Sequence, residues 1–156
     1  MHEKYMKEAL KEANKALLID EVPIGCVIVK NDKIIARAHN LRETKQQSIN
    51  HAEILAIQKA CKKIDSWRLE DCSIYVTLEP CAMCAGAILQ SRIDTVIFGA
   101  LDPKGGCIES CIQMYEYPGF NHYPKVITGI MREECSNLIS NFFRNKRKIK
   151  KVKQVF

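Results

Sequence analysis

The 156 residues, of which 47% are hydrophobic, suit one folded domain (1–156) with a single core. No apolar run approaches the roughly 20 residues that a membrane helix needs, which excludes a membrane-spanning protein. The N-terminal Met1-His2-Glu3-Lys4 leads straight into an amphipathic pattern without the apolar core of a secretion signal, so we expect a cytoplasmic location.

The net charge of +6 lies almost wholly at the C-terminal end. Seven basic residues and no acidic ones stand between Arg144 and Lys153, and removing them leaves a charge of −1 on the rest of the chain. Such a segment is either the solvated end of a helix or a contact for nucleic-acid phosphates. Charge alone does not separate these two interpretations.

The chain opens with a predicted helix, since apolar residues between Met6 and Leu17 recur at helical spacing. Two β-rich segments, 24–29 and 34–38, flank Asn31-Asp32 and predict a hairpin with a tight turn. The remaining elements alternate in type: a helix from His51, a strand at 73–78, a helix after Pro80, a strand at 95–98, a short helix at 108–115, a strand at 126–128 and a helix from Arg132. This alternation implies an α/β protein whose sheet is covered by helices on both faces.

Eight cysteines are many for this length, but thiols in the cytosol stay reduced, so we do not expect disulfides. Six of the cysteines lack metal-ligand spacing and are predicted to be small buried side chains: Cys26, Cys61, Cys72, Cys107, Cys111 and Cys135.

Cys81 and Cys84 differ, because three-residue spacing in the first turn of a helix places both sulfurs on one face. The positive end of the helix dipole favours the thiolates that bind zinc. His51 begins another helix and can add an imidazole. Three protein ligands are typical of catalytic zinc, which keeps its fourth position for water of lowered pKa, whereas structural zinc usually has four. Glu53, two residues from His51, is then placed to accept and pass on a proton.

Each half of this pattern has a simpler interpretation. The segment from Asn50 to Glu53 fits a helix N-cap with a capping-box glutamate. A single Cys-x-x-Cys is also typical of a redox pair or of half a structural zinc site. The combination of His-x-Glu with Pro-Cys-x-x-Cys is the signature of zinc deaminases that act on nucleobases, and it favours catalysis.

With these motifs the sequence resembles the bacterial tRNA-specific adenosine deaminases, the TadA family, over nearly its whole length. The segments that carry the resemblance are Glu21-Val22-Pro23-Ile24-Gly25, Ala38-His39-Asn40, His51-Ala52-Glu53, Ser66-Trp67-Arg68-Leu69, Leu78-Glu79-Pro80-Cys81-Ala82-Met83-Cys84, Asp102-Pro103-Lys104, Asn121-His122 and Phe142-Phe143-Arg144. It implies a three-layer α/β/α sandwich with a mixed five-stranded sheet (cytidine-deaminase-like), a homodimer, and one zinc ion per subunit. It also implies conversion of the wobble adenosine of a tRNA anticodon to inosine.

Carried over by position, the resemblance makes His51, Cys81 and Cys84 the zinc ligands and Glu53 the proton shuttle. It places Asn40 against the flipped base; an ordinary turn asparagine is the alternative. Four further residues match positions near the anticodon loop: Asp102, Lys104, Phe143 and Arg147. Phe142 is instead expected to face the core.

The chain departs from the family pattern at a few positions. Cys26 stands where alanine is common, Leu101 where an acidic residue is frequent, and Tyr123 where arginine often follows Asn-His; residues 106–109 replace a run of small residues. Two other hypotheses remain: a deaminase of a free base such as guanine or cytosine, and a non-enzymatic zinc protein that binds RNA. Trp67 fits either the core or an interface.

Overall fold

The computed structural model describes residues 1–155. It contains five strands and five α-helices in the order α1 (His2–Leu18), β1 (Gly25–Lys30), β2 (Lys33–His39), α2 (Arg42–Lys45), α3 (Ala52–Ile64), β3 (Cys72–Leu78), α4 (Ala82–Gln90), β4 (Thr95–Ala100), β5 (Lys125–Thr128) and α5 (Arg132–Val155). None of the helices in this range has the length and apolar character needed to traverse a bilayer.

The five strands form one mixed sheet in the order β2-β1-β3-β4-β5. β1 pairs antiparallel with both β2 and β3, and β4 pairs parallel with both β3 and β5. The predicted hairpin is confirmed, because Asn31 and Asp32 join β1 to β2 with φ angles of 51° and 61°. Two consecutive positive φ angles are typical of the type I′ turn that matches strand twist.

Alternating side chains of the strands feed two cores, one on each face of the sheet. Cys26 and Ile28 of β1 pack with the alanines of α3 and with Ile88 of α4. Val27 and Val29, which point the other way, pack in a second core that contains Met6 of α1 and Cys135 of α5. The three-layer α/β/α sandwich is therefore confirmed.

Helix α1 lies unusually close to β1. A Cβ atom added at Gly25 would stand 1.9 Å from the carbonyl oxygen of Ala9 and 2.4 Å from the amide nitrogen of Ala13. Only a residue without a side chain allows the helix backbone to approach the strand this closely.

The short helix predicted at 108–115 is wrong. Only a 3₁₀ turn at Met114–Glu116 forms in this region. The amides of Ile108, Glu109 and Ser110 instead donate to the buried carboxylate of Glu79. Further along, the amide of Cys111 donates to the carbonyl of Gly106 and that of Met114 to Cys107, spans of five and seven residues in place of the four of an α-helix.

The prediction for the six other cysteines is largely confirmed. Cys26, Cys72, Cys107 and Cys135 are buried and Cys61 is half-buried. Cys111 is exposed, so its prediction is wrong; it stands in the irregular loop, where its thiol donates to the carbonyl of Pro103. Trp67 is 56% exposed and thus not a core residue, whereas the expected burial of Phe142 is confirmed.

Candidate active site

The N-termini of α3 and α4 meet at the end of the sheet that contains the C-terminus of the central strand β3. His51 occupies the N-cap position of α3, and Cys81 occupies that of α4. Neither side chain makes a capping hydrogen bond, and α3 shows no capping box. Their ring and sulfur are therefore available for another role.

His51, Cys81 and Cys84 form one compact cluster with ligand atoms within 4.8 Å of one another. The Nδ1 atom of His51 lies 3.6 Å from each of the two sulfurs. Tetrahedral zinc, with bonds of about 2.3 Å to sulfur and 2.0–2.1 Å to nitrogen, separates these ligand atoms by about 3.6 Å. The donor set therefore fits zinc. Within the described part of the chain, no fourth His, Cys, Asp or Glu joins the cluster.

The electrostatics of the two thiols also suit a cation. A hydrogen bond from Cys84 is the main cause that lowers the pKa of Cys81 to about 4, and the same bond raises the pKa of Cys84. The hydrogen bond with Cys81 raises the pKa of His51. One thiolate is thus formed readily, and the second proton leaves most easily against the positive charge of a bound metal ion.

Glu53 lies in the first turn of α3 and is 4% exposed. Burial raises the pKa of its carboxyl to about 6, and the nearby charge of His51 partly opposes this shift. A carboxyl with a pKa near neutrality can both accept and donate a proton under physiological conditions.

A cleft of about 550 Å³ opens beside the cluster. It is lined by Val22, Ile24, Asn40, Arg42, His51, Ala52, Leu78, Ala100, Leu101, Asp102, Pro103, Lys104, Ser136, Ile139, Ser140 and Phe143. The structure thus brings Asn40, Asp102, Lys104 and Phe143 to the same cavity as His51. Of the departures named above, only Leu101 stands on its wall.

Some residues singled out in the sequence lie elsewhere. Glu53, Cys81 and Cys84 are not among the residues that line the cleft, and Arg147 is farther along α5. Sequence reasoning missed Ser136 and Ser140, although their four-residue spacing signals one helix face.

A buried acid binds the backbone of α2, the segment that follows Asn40. Glu21, 1% exposed, accepts hydrogen bonds from the amides of Glu43 and Thr44 in α2. Asn40 accepts from the amide of Arg42 at 3.1 Å and donates to the carbonyl of Val22 at 3.3 Å. The amide of Asn40 therefore keeps one donor and one acceptor position free.

Comparison with known proteins gives a consistent result. The model of the MafB19-like deaminase family matches residues 1–147. A tRNA-specific adenosine deaminase from Bacillus subtilis (strain 168) is 57% identical over 150 residues, which cover 96% of this chain and 93% of that protein.

Solved structures agree in fold. One from studies of A-to-I editing by tRNA:A34 deaminases at the wobble position of transfer RNA superposes with a TM-score of 0.84 at 41% identity, covering 86% of this chain and 98% of that one. Guanine deaminase from Bacillus subtilis is 31% identical with a TM-score of 0.62, covering 76% of this chain and 87% of that one. From the matched family model and the extent of these similarities, we conclude that this chain belongs to the MafB19-like deaminases and, among them, to the family of tRNA-specific adenosine deaminases.

Proposed function

We propose that this protein hydrolyses the wobble adenosine of a tRNA anticodon to inosine and releases ammonia. The observation that carries the proposal is the three-ligand cluster of His51, Cys81 and Cys84 beside the buried Glu53, at a cleft wide enough for a base. The similarity to tRNA-specific adenosine deaminases over nearly the whole chain supports the choice of substrate.

We assign His51, Cys81 and Cys84 as the ligands of one zinc ion per subunit. Three protein ligands leave one coordination position for solvent, as is typical of catalytic sites. The ion, when bound, supplies a water molecule whose proton is lost near neutral pH.

Glu53 moves the protons in this proposal. Its carboxylate takes a proton from the water that attacks C6 of adenine and delivers it to N1. The carboxylate then takes the second proton of that water, now on the C6 hydroxyl, and gives it to the departing amine, so that water and adenosine yield inosine and ammonia. Its burial favours this role, since the raised pKa makes both the acid and its conjugate base available.

Asn40 orients the base. Its side-chain amide is held by Arg42 and Val22, yet one N–H and one oxygen lone pair remain for the substrate. A side chain that is fixed before binding loses little conformational freedom when it meets the base.

The RNA itself meets the rim of the cleft and α5. We assign Lys104 and Arg147 to phosphates, Asp102 to the loop nucleotides, and Phe143, 42% exposed, to packing against the splayed loop. Removal of the target base from its stack costs a few kcal/mol, and this cost is smallest in a loop that is already partly unstacked. The basic segment from about residue 144, which forms the exposed end of α5, adds electrostatic attraction to RNA.

We further propose that residues 1–156 act as one deaminase domain, that two copies form a homodimer, and that the protein works in the cytoplasm, where tRNA anticodons are read. Family resemblance supports the homodimer. Light scattering of the purified protein measures its mass in solution; a monomer at micromolar concentration would contradict this part of the proposal.

The direct test incubates the zinc-loaded protein with an anticodon stem-loop that carries adenosine at the wobble position. Inosine is measured by nuclease digestion and chromatography. A stem-loop with guanosine at that position is the matched control. Formation of inosine supports the proposal, whereas its absence with fully zinc-loaded protein contradicts it.

A second candidate is deamination of a free base, favoured by the similarity to guanine deaminase. A small substrate does not need seven basic residues at one end of the chain. If a chain ending at Phe143 kept full activity on free guanine, and neither form acted on RNA, this second function would replace the first.

A further inference from the structure

Glu79 is a buried acid that is close in sequence to the metal cluster. It follows β3, precedes Cys81 by two residues, and is 2% exposed. It does not line the cleft. A buried carboxylate is costly unless hydrogen bonds satisfy it, so its partners indicate what it does.

All of its partners belong to one loop. Oε1 accepts from the amide of Asp102 at 3.0 Å and from the hydroxyl of Ser110. Oε2 accepts from the amides of Ile108, Glu109 and Ser110 at 3.2, 2.8 and 2.9 Å. We call residues 101–110 the rim loop; five of its donors thus converge on one carboxylate.

The backbone of the rim loop also approaches this carboxylate closely. A Cβ atom at Gly106 would lie 2.2 Å from the carboxyl carbon of Glu79. Two backbone bonds flank the contact: Cys107 donates to the carbonyl of Pro80, and Glu79 donates to that of Ala100, both at 2.9 Å. The rim loop therefore wraps around the Glu79 side chain; we call this set of contacts the clamp.

This clamp joins two functional elements. The rim loop carries Asp102 and Lys104 on the wall of the cleft. The residue after Pro80 is the metal-cluster cysteine Cys81. The position of the RNA-facing loop relative to the cluster thus depends largely on a carboxylate that binds the loop but belongs neither to the cleft wall nor to the cluster.

We propose that Glu79 is a positioning residue for the reaction: it holds the rim loop, and with it Lys104, in register with the metal cluster so that the anticodon loop and the target base are bound together. The inference rests on the proposed function. A carboxylate that served only to stabilise the fold would leave the affinity of the folded protein for RNA unchanged.

The test is a double-mutant cycle of Glu79→Gln with Lys104→Ala. Glutamine keeps one acceptor oxygen for the three amides at Oε2. Its NH2 group, in place of Oε1, would face the Asp102 amide, so that two donors meet. Affinity for the anticodon stem-loop is measured by fluorescence anisotropy, together with KM, kcat and zinc content. We expect Glu79→Gln to weaken binding about tenfold, or 1.4 kcal/mol, and to raise KM with kcat and zinc little changed. Lys104→Ala should then cost much less in the Glu79→Gln protein than in the wild type.

The control is Glu109→Gln, the same change at an exposed side chain of the same loop, for which we expect affinity within about twofold of the wild type. If Glu79→Gln fails to fold, Ser110→Ala replaces it, because this change removes only the hydroxyl bond to Glu79. We then expect a smaller loss of RNA affinity, which is again non-additive with Lys104→Ala. Additive effects, or a lower melting temperature with unchanged affinity, would overturn the inference. An inactive wild-type protein would instead refute the proposed function.

Discussion

The close approach of α1 to β1 makes Gly25→Ala a sharp test of the packing. The new methyl group would stand 1.9 Å from a backbone oxygen, and ordinary contact begins near 3.4 Å, so α1 must retreat by 1.5 Å. Both obstructing atoms belong to helix backbone and cannot rotate away. Met6, Ala9 and Ala13 are fully buried at this contact, and their packing would loosen as the helix moves.

We expect a loss of about 3 kcal/mol in the free energy of unfolding, the upper end of the range for overpacked cores. For a chain of this size that corresponds to a fall of about 6–12 °C in melting temperature. Urea unfolding followed by circular dichroism, at equal protein concentration and with zinc bound, measures the change.

The matched control is Gly86→Ala, in the interior of α4, where no heavy atom lies within 4 Å of the added carbon. Alanine favours a helix interior over glycine by up to about 1 kcal/mol, so this variant should be as stable as the wild type or more stable. The change from glycine to alanine is thus expected to lower the free energy of unfolding at position 25 and to maintain or raise it at position 86. A Gly25→Ala protein within 1 kcal/mol of the wild type would refute the packing argument.

Three further predictions concern catalysis, pH and RNA. Glu53→Ala should retain one zinc ion per chain, measured by atomic absorption, but lower kcat by about 10²–10⁴-fold; a metal-loaded variant with kcat near wild type would exclude the proposed proton transfer. Burial raises the pKa of the Glu21 carboxyl, but hydrogen bonds from Thr44 and Glu43 reverse this and leave it below its usual 4.5. The stabilisation by Glu21 is therefore complete above pH 4.5 and lost as the pH falls through the lower folded-state value, so Glu21→Gln should flatten acid unfolding curves there; identical curves would contradict the assignment. Replacing Arg147 and Lys150 by glutamine should weaken RNA binding in low salt and reduce the slope of log affinity against log salt by about 0.7–0.9 for each lost phosphate contact, whereas an unchanged slope would place the RNA elsewhere.

The sequence predicts the cluster of His51, Cys81 and Cys84 through two short motifs. Cys81 and Cys84 are one helical turn apart, whereas the approach of His51, 30 residues before Cys81, follows from the combination of His-x-Glu with Pro-Cys-x-x-Cys and not from periodicity. The hairpin is local, since Asn31-Asp32 carries its own turn preference. Periodicity gives the strands and the long helices, whose bounds shift by a few residues, but it misses α2 and adds a helix at 108–115 that does not form.

The rim loop and the supports of the cleft lie beyond such reasoning. Glu21 and Glu79 look like surface acids in the sequence, and only the folded chain reveals the amides that surround them. The amides of the segment predicted as a helix at 108–115 bind the carboxylate of a residue some thirty positions earlier. Contacts of this range leave no periodic signal in the sequence.

The turn at Asn31-Asp32 has a practical consequence. β1 is antiparallel to β3, since Cys26 pairs with Val76 and Lys30 with Cys72. It therefore begins at the end of the sheet where β3 leads into the cluster, and it runs towards the opposite end. The turn that follows β1 is therefore at the far end of the sheet from His51. An affinity tag or fluorophore inserted there would leave the cleft and α5 unobstructed, which makes this turn the preferred tether for single-molecule measurements on RNA.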